Sequence, residues 1–268
     1  MNNDKNWFHN AVGYQIYPKS FYDSNGDGMG DLKGIIEKLD DLKTLGVDFL
    51  WINPVFKSPQ VDGGYDISDY YAIDERFGEL SDFKALLKKA HQLGMKVITD
   101  LVVNHTSNQH PWFLESQKSK DNPYRDYYLW EDARSNKMPN EWISFFGGSA
   151  WTYDAQTKQA YFHVFGKEQP DLNWKNPKVR KEIYKMVRFW LDLGLDGFRL
   201  DAISHIQKMP WSYKIKSWHG DGPWVPFMNV SGIEQYMKDL KEIFDEYGAL
   251  TVGEASGVRS TQAPDWTD

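Results

Sequence analysis

Four stretches of the chain repeat one order of elements, and this repetition constrains the fold more than any other feature. In each stretch an amphipathic helical segment ends near a glycine and is followed at once by a short apolar strand. Apolar strands of this kind are typical of a parallel sheet that is buried on both faces. The helical segments are residues 31–46, 81–94, 176–194 and 231–248, with capping residues Asp31, Ser81, Asn176 and Ser231 and terminal glycines Gly46, Gly94, Gly194 and Gly248.

The segment VGYQIYP at 12–18 supplies one further strand, so the chain contains five βα units. A barrel of eight such units averages about 31 residues per unit, and five units need about 155 residues. The surplus lies in two long connections, 106–175 after the third strand and 202–230 after the fourth. The sequence therefore predicts the first five βα units of a (β/α)8 TIM barrel, an α/β fold. Residues 1–105 and 176–268 form the partial barrel, and 106–175 form an inserted subdomain.

A doubly wound open sheet is the alternative fold. It would place a glycine-rich phosphate turn after the first strand, and the segment YPKSFYDSNGDG lacks that spacing. Five strands of eight also leave the first and fifth strands with unpaired backbone groups. We therefore expect the chain alone to self-associate through the open edge of the barrel.

The composition of the chain limits the kinds of ligand that it can bind and the cellular compartments that suit it. A formal net charge of -7 argues against nucleic acid or an anionic membrane as partner. The chain has no apolar run long enough to cross a bilayer, and residues 1–10 lack the apolar core of a signal peptide. It also has no cysteine, which fits a reducing compartment. We predict a cytoplasmic protein that binds a neutral ligand.

Charged residues stand where the predicted strands end, at the face of a barrel that carries reactive groups. Arg199 and Asp201 are two apart on the fourth strand and point the same way, so the cation should lower the pKa of the carboxyl. Glu254 ends the neighbouring strand, and strands lie about 4.8 Å apart. Asp201 and Glu254 can thus stand about 5–5.5 Å apart, the spacing of a retaining glycosidase pair. A buried Arg–Asp pair without a catalytic role fits the same spacing.

Three motifs favour a catalytic pair over a purely structural Arg–Asp pair, because they resemble motifs of a known enzyme family. The segments DLVVNH, GFRLD and GEAS, at 100–105, 197–201 and 253–256, resemble the first three sequence regions of the α-amylase family. QPDLNW, GGYDISDY and YQIYPKSF resemble the oligo-1,6-glucosidase and α-glucosidase branch of that family. The chain is identified as the N-terminal part of such a protein. The family's third carboxylate, in a fourth region, has no counterpart here, so we expect the chain alone to be inactive.

The resemblance implies a role for each site residue. Asp201 would be the nucleophile and Glu254 the general acid/base, while Arg199 would orient Asp201. The expected contacts with the cleaved sugar come from Tyr65 by stacking, from His105 to the hydroxymethyl group, and from Asp62 at the non-reducing end, with Phe165 as a weaker stacking candidate. Packing alone would also explain Tyr65 and Phe165, and His105 could be an ordinary loop histidine. Gln169, Asp171 and Asn173 are expected to brace the insertion.

A second site is suggested by alternating oxygen ligands in the first βα loop. Gly28 occupies the sixth position of a calcium loop, but Gly34 stands at the twelfth, where an EF-hand has glutamate. The resemblance implies a structural calcium ion here, and a solvated Asp/Gly turn is the alternative. The predicted ligands are Asp23, Asn25, Asp27, Met29 and Asp31.

The predicted function is retaining hydrolysis of terminal α-linked glucose from short oligosaccharides. In the branch that the chain resembles, valine follows the nucleophile in enzymes that favour α-1,6 bonds, and a smaller or polar residue follows it in those that favour α-1,4 bonds. Ala202 therefore predicts an α-1,4 preference. The alternatives are a sucrose or trehalose-phosphate hydrolase, an isomerase, a transglycosylase, or a non-catalytic homologue.

Overall fold

The structure is a computed structural model that describes residues 7–215 and 222–267. The predicted absence of a signal peptide falls partly on residues 1–6, outside the described residues. The strands are β1 Gly13–Ile16, β2 Phe49–Ile52, β3 Phe56–Lys57, β4 Asp69–Ile73, β5 Lys96–Val102, β6 Trp130–Asp132, β7 Trp151–Asp154, β8 Gln159–Phe162, β9 Gly197–Asp201 and β10 Leu250–Gly253. The helices are α1 Pro18–Phe21, α2 Leu32–Leu45, α3 Leu80–Gln92, α4 Pro111–Ser116, α5 Pro177–Asp192, α6 Glu234–Tyr247 and α7 Pro264–Thr267.

The chain divides into two compact units. The first contains residues 1–101, 184–200 and 240–252, and the second contains 102–183, 201–239 and 253–268. The predicted subdomain 106–175 lies inside the second unit, and its boundaries stay a prediction. Within the described ranges, no helix combines the length and apolar character needed to span a membrane. A cytoplasmic location likewise stays a prediction.

The first unit is built on a five-stranded sheet in the order β1-β2-β5-β9-β10. Gly13 pairs with Phe49 and Phe49 with Lys96, both in parallel register. Each strand lies beside the strand of the preceding βα unit, so the order never reverses. A doubly wound sheet reverses at a switch point. The sheet therefore has the strand order of a barrel series, as the repeated units predict.

Helix ends agree with the capping prediction at most positions. Asp31 begins α2 by accepting the Gly34 N–H at 2.6 Å, and Gly46 ends it at φ 94°. Gly94, Gly194 and Gly248 also have positive φ after their helices.

Ser81 and Ser231 were predicted as caps, and both predictions are wrong. Glu79 is the N-cap of α3, where the Asp82 carboxylate accepts the Glu79 N–H at 2.9 Å. This reciprocal contact satisfies an N–H group that precedes Ser81, so the helix begins earlier. Helix α6 begins later than predicted, at Glu234.

Gly197 permits the close approach of β9 and β10. A Cβ at this position would lie 2.0 Å from the Leu250 carbonyl oxygen, and φ is 152°. No side chain fits between the strands at that distance. The glycine in the motif GFRLD is therefore required by the sheet that carries Arg199.

The second unit contains an antiparallel sheet in the order β6-β8-β7, with Trp151 opposite Phe162. Its core is aromatic, and Trp142, Trp151, Phe162 and Phe227 are all buried. This explains why so many aromatic residues occur in the inserted segment: they form the core of a small unit.

Candidate active site

In the first unit, Arg199 lies among three neighbouring strands. Its Nη1 donates to Asp100 Oδ1 on β5 at 2.8 Å, and the other Asp100 oxygen accepts the Trp51 indole N–H from β2 at 2.9 Å. Asp100 is fully buried. Both of its oxygens therefore have donors, and the Arg199 guanidinium is held against β5. The prediction from sequence singled out Arg199 but not its partner Asp100.

The loop that carries Asp62 and Tyr65 is shaped by a buried carboxylate. Asp66 accepts the Val61 and Asp62 N–H groups, both at 3.0 Å, and the Ser58 hydroxyl at 2.9 Å. Three donors on one carboxylate hold the loop in one shape. Asp66 was not predicted, although a carboxylate two residues after glycines in GGYDIS is a turn signal.

Tyr65 is anchored to the strands of the same unit. Its hydroxyl contacts the Asn53 amide nitrogen at 3.1 Å, and Asn53 accepts the Gln15 amide N–H at 2.9 Å. The Tyr65 N–H donates to the Asp62 carbonyl at 3.0 Å, so one tight turn carries both residues. These contacts fix the ring of Tyr65, and its stacking on a sugar stays a prediction.

In the second unit, the backbone N–H of the residue after Asp201 forms a hydrogen bond with Glu254. Asp201 ends β9 and is 7% exposed. The next residue, Ala202, is left-handed at φ 45° and ψ 30°, and its N–H donates to Glu254 Oε2 at 3.0 Å. Left-handed backbone is disfavoured for a non-glycine residue and tends to persist at functional sites. This contact places the Glu254 carboxylate beside the residue that follows Asp201.

His105 belongs to a hydrogen-bonded network in the same unit. Its Nδ1 lies 3.3 Å from the Asn104 amide nitrogen, and its Nε2 lies 3.1 Å from the Gln169 amide nitrogen. Lys208 Nζ donates to Asn104 Oδ1 at 3.0 Å and pairs with Asp171 Oδ2 at 2.6 Å. These residues are buried, so a continuous polar chain runs from Asp171 to His105 and on to Gln169.

The network fixes which atoms face the His105 ring. The Lys208 ammonium can only donate, so the Asn104 oxygen must face it and the amide nitrogen must face the ring. The Gly166 N–H donates to Gln169 Oε1 at 3.1 Å, which turns the Gln169 nitrogen toward the ring as well. These contacts on both ring nitrogens orient the His105 ring, which explains why Gln169 and Asp171 are part of the site's support.

Phe165 packs in an aromatic group. Its ring lies 5.2 Å from His105 in an edge contact and 5.7 Å from Phe145 in a stacked one. The Phe165 carbonyl accepts the Ser144 hydroxyl at 2.7 Å. Packing accounts for its position, and a contact with substrate stays a prediction.

The predicted calcium loop is folded around its own side chains. Asp23 accepts N–H groups from Gly26 and Gly28 at 2.7 and 2.8 Å, and the Gly28 bond leads the causes that lower its pKa. Asn25 Nδ2 donates to Asp27 Oδ2 at 3.1 Å. In the described part of the chain, no three Asp, Glu, His or Cys side chains are grouped so as to hold a metal. A calcium ion would thus need the Asn25 oxygen and the Met29 carbonyl beside the carboxylates.

Comparison with known proteins defines the family. The alpha-amylase catalytic domain matches residues 15–268, so the chain belongs to the alpha-amylase family. An oligo-1,6-glucosidase of Parageobacillus thermoglucosidasius is 52% identical over 268 residues, covering 98% of this chain and 47% of that protein. The predicted family and branch are confirmed.

Solved structures agree at the level of the fold. Trehalose-6-phosphate hydrolase of Bacillus licheniformis matches with a TM-score of 0.93 at 45% identity, covering 98% of this chain and 47% of that one. A trehalulose synthase matches with a TM-score of 0.94 at 47% identity, covering 98% and 48%. These matches confirm the predicted barrel class. The chain spans about half the length of the curated relatives it matches.

Proposed function

We propose that a full-length protein carrying this sequence is a retaining glycoside hydrolase of the α-glucosidase type. The observation that supports this proposal is the hydrogen bond from the Ala202 N–H to Glu254, because it brings the Glu254 carboxylate to the residue that follows Asp201. Asp201 attacks the anomeric carbon while Glu254 gives its proton to the departing glycosidic oxygen. Water then loses a proton to Glu254, attacks the same carbon and releases Asp201 from the glycosyl ester.

We propose supporting roles for five further residues. Arg199, held by Asp100, supplies positive charge on β9, the strand that ends at Asp201. By the family resemblance, His105, Tyr65 and Asp62 are the proposed contacts for one terminal glucose, with Phe165 as an additional stacking ring. The proposed substrate is accordingly a short oligosaccharide cleaved at its non-reducing end.

For linkage we propose a preference for α-1,4 over α-1,6 bonds. Ala202 is 1% exposed and adjoins the proposed nucleophile, so its small side chain leaves room beside the cleaved bond. The similar oligo-1,6-glucosidase is named for the other linkage. Comparing kcat/KM on maltose and isomaltose tests the point, and a tenfold preference for isomaltose would contradict it.

A related α-glucan-active enzyme is the second candidate. The similarity to a trehalose-6-phosphate hydrolase and to a trehalulose synthase supports a sucrose or trehalose-phosphate hydrolase, an isomerase or a transglycosylase. Product analysis with trehalose 6-phosphate and with sucrose separates these activities from maltose hydrolysis. A homologue without catalysis would give no product from any of the three.

We also propose that the first βα loop binds calcium through side-chain oxygens of Asp23, Asn25, Asp27 and Asp31 and the Met29 carbonyl. The ion would stabilise the conformation of the loop and take no part in catalysis. Calcium should raise the melting temperature of the chain, and Asp27→Asn should reduce that rise. Asp41→Asn, at an exposed carboxylate on α2, serves as the control. Equal melting temperatures with calcium and with a chelator would contradict the proposal.

The 268-residue chain alone is proposed to self-associate and to have little activity. The two edge strands of the five-stranded sheet are exposed along three of their four residues, and Tyr14 and Val252 are 37% and 45% exposed. Exposed edge strands recruit further strands, here from a second copy. Light scattering beside an assay on an aryl α-glucoside tests both parts. A monomer of 31.3 kDa with turnover equal to that of full-length relatives would contradict them.

A further inference from the structure

Ser58, in the first unit, is a buried serine whose hydroxyl, N–H and carbonyl all form hydrogen bonds. Its hydroxyl donates to Asp66 Oδ1 at 2.9 Å and accepts the Gln60 N–H at 2.9 Å. Its own N–H donates to Asp74 Oδ2 at 3.1 Å, and its carbonyl accepts from Arg76 Nη2. Ser58 is 4% exposed, and Asp66 and Asp74 are buried as well. Ser58 therefore links two buried carboxylates through its hydroxyl and its backbone.

Asp74 and Arg76 form the fixed end of this arrangement. Arg76 Nε donates to Asp74 Oδ1 and Arg76 Nη2 donates to Asp74 Oδ2, both at 2.7 Å. A two-point contact of this kind fixes orientation as well as distance. Burial acts to raise the pKa of Asp74, but hydrogen bonds from Arg76 and Ser58 outweigh it and leave that pKa below its usual value. The Asp74 N–H also donates to the Val55 carbonyl at 2.8 Å, so the pair is fastened next to β3.

The loop after Ser58 contains three residues with left-handed backbone. Gln60, Gly63 and Gly64 have φ of 62°, 57° and 103°. Such backbone is disfavoured at Gln60, which has a Cβ, and it persists where surrounding contacts impose it. The bond from the Gln60 N–H to the Ser58 hydroxyl is a contact of this kind. We expect the loop to relax when that hydroxyl is removed.

One oxygen atom connects Ser58 to the residue that is proposed to meet the terminal glucose. Asp66 Oδ1 accepts both the Ser58 hydroxyl, at 2.9 Å, and the Asp62 N–H, at 3.0 Å. The other oxygen, Oδ2, accepts the Val61 N–H at 3.0 Å. Loss of the Ser58 hydroxyl would leave a buried carboxylate oxygen with one donor fewer, which costs more than the loss of an exposed hydrogen bond. The position of the Asp62 backbone therefore depends on Ser58 through a single atom.

We propose that Ser58 is a positioning residue for the loop 58–66 and thereby sets the preference for a substrate with a free chain end. This role rests on the proposed function, in which Asp62 binds the terminal glucose. In an α-1,4 chain that glucose has a free 4-hydroxyl, which can donate to a carboxylate. A loop that is already in place binds without an ordering cost. Because Ser58 acts through Asp66, its loss should weaken binding and leave the chemical step intact.

Amide hydrogen exchange on a full-length protein carrying this sequence tests the positioning without reference to activity. In Ser58→Ala, the peptide that covers residues 59–66 should exchange about tenfold faster, since a hydrogen bond to a charged group is lost. Ser68→Ala is the matched control between the same two strands. The Ser68 hydroxyl donates to the Lys57 carbonyl at 3.1 Å in a hydrogen bond that is exposed to solvent. Its removal should leave the exchange of 59–66 unchanged.

Kinetics on two aryl α-glucosides test the consequence for substrate choice. One has a free 4-hydroxyl and the other is its 4-O-methyl ether, with the same leaving group. Ser58→Ala should raise KM for the free glucoside about fivefold and change kcat by less than about twofold. The ratio of kcat/KM between the free and the methylated glucoside should fall by about the same fivefold factor. A residue that served only stability would weaken both substrates equally.

Arg76→Lys is a second variant at the other end of the arrangement. It keeps the positive charge but cannot form the two-point contact with Asp74. The Arg76 side chain is 40% exposed, so the folded state should tolerate the change. Exchange of 59–66 and the ratio of kcat/KM should both shift in the same direction as in Ser58→Ala, by a smaller factor. If Ser58→Ala does not fold, Arg76→Lys decides both measurements.

Three outcomes would overturn the proposal. Unchanged exchange of 59–66 in Ser58→Ala would show that the serine does not hold the loop, and equal effects from Ser68→Ala would show that the hydroxyl has no special place in it. Faster exchange with an unchanged ratio of kcat/KM would show that the loop does not set the preference. An unmodified protein that hydrolyses neither glucoside would instead contradict the proposed function, and the exchange result would still decide whether Ser58 holds the loop.

Discussion

In a full-length protein carrying this sequence, we expect Asp201→Asn to lower kcat on an aryl α-glucoside by roughly 10⁴-fold or more. An amide cannot form the glycosyl ester, so the loss should persist with leaving groups that need no protonation. Stopped-flow release of the phenol measures the rate. The loss should appear in kcat and leave the folded state unchanged, because asparagine has nearly the same shape as aspartate.

Two variants serve as comparisons for this result. Glu254→Gln should be slow on maltose and much less impaired on the aryl glycoside, since the phenol leaves without a proton. Asp132→Asn, at an exposed carboxylate, should match the unmodified protein. If Asp201→Asn retained most of its activity on the aryl glycoside, Asp201 would not be the nucleophile.

The second large effect is expected at Lys208. Lys208→Met should lower the free energy of unfolding by about 3–5 kcal/mol, because it leaves the Asp171 carboxylate buried without its cation. Burial raises the pKa of Asp171, and the Lys208 charge opposes that rise. The substitution also removes the donor that orients Asn104 toward His105. Urea unfolding followed by tryptophan fluorescence measures the change.

An exposed ion pair is the control for this effect. Lys241 and Asp245 lie 2.8 Å apart on α6, but their side chains are 53% and 59% exposed. Lys241→Met should therefore change the unfolding free energy by less than about 1 kcal/mol. Equal losses for Lys208→Met and Lys241→Met would mean that the buried pair has no special importance for stability.

The elements that could be predicted from sequence are those set by local patterns. A helix that ends at glycine before an apolar strand is visible in four separate stretches, and the structure has a helix and a strand in each. Helix starts were less predictable at Ser81, because Glu79 and Asp82 provide a competing cap. The strand-end positions of Arg199, Asp201 and Glu254 follow from the same local pattern.

The supporting residues could not be predicted in the same way. Asp100 and Arg199 are 99 positions apart in sequence, and Lys208 and Asn104 are 104 apart. Neither pair has a local periodicity that links its members. The available signal was burial: a carboxylate inside the apolar strand MKVITDL, or between the apolar residues of QPDLNW, requires a partner. Such a signal identifies a residue that needs a cation without showing which cation it is.

The covalent role of Asp201 can be measured most directly by mass spectrometry. A full-length protein carrying this sequence is mixed with a fluorinated glucosyl fluoride, whose electron-poor ring slows hydrolysis of the ester, and is quenched in acid and digested. The peptide that contains Asp201 should gain the mass of one fluorinated glucosyl group, and the same protein should release α-glucose from maltose. A label on any other residue, or β-glucose as the first product, would contradict the retaining mechanism assigned to Asp201 and Glu254.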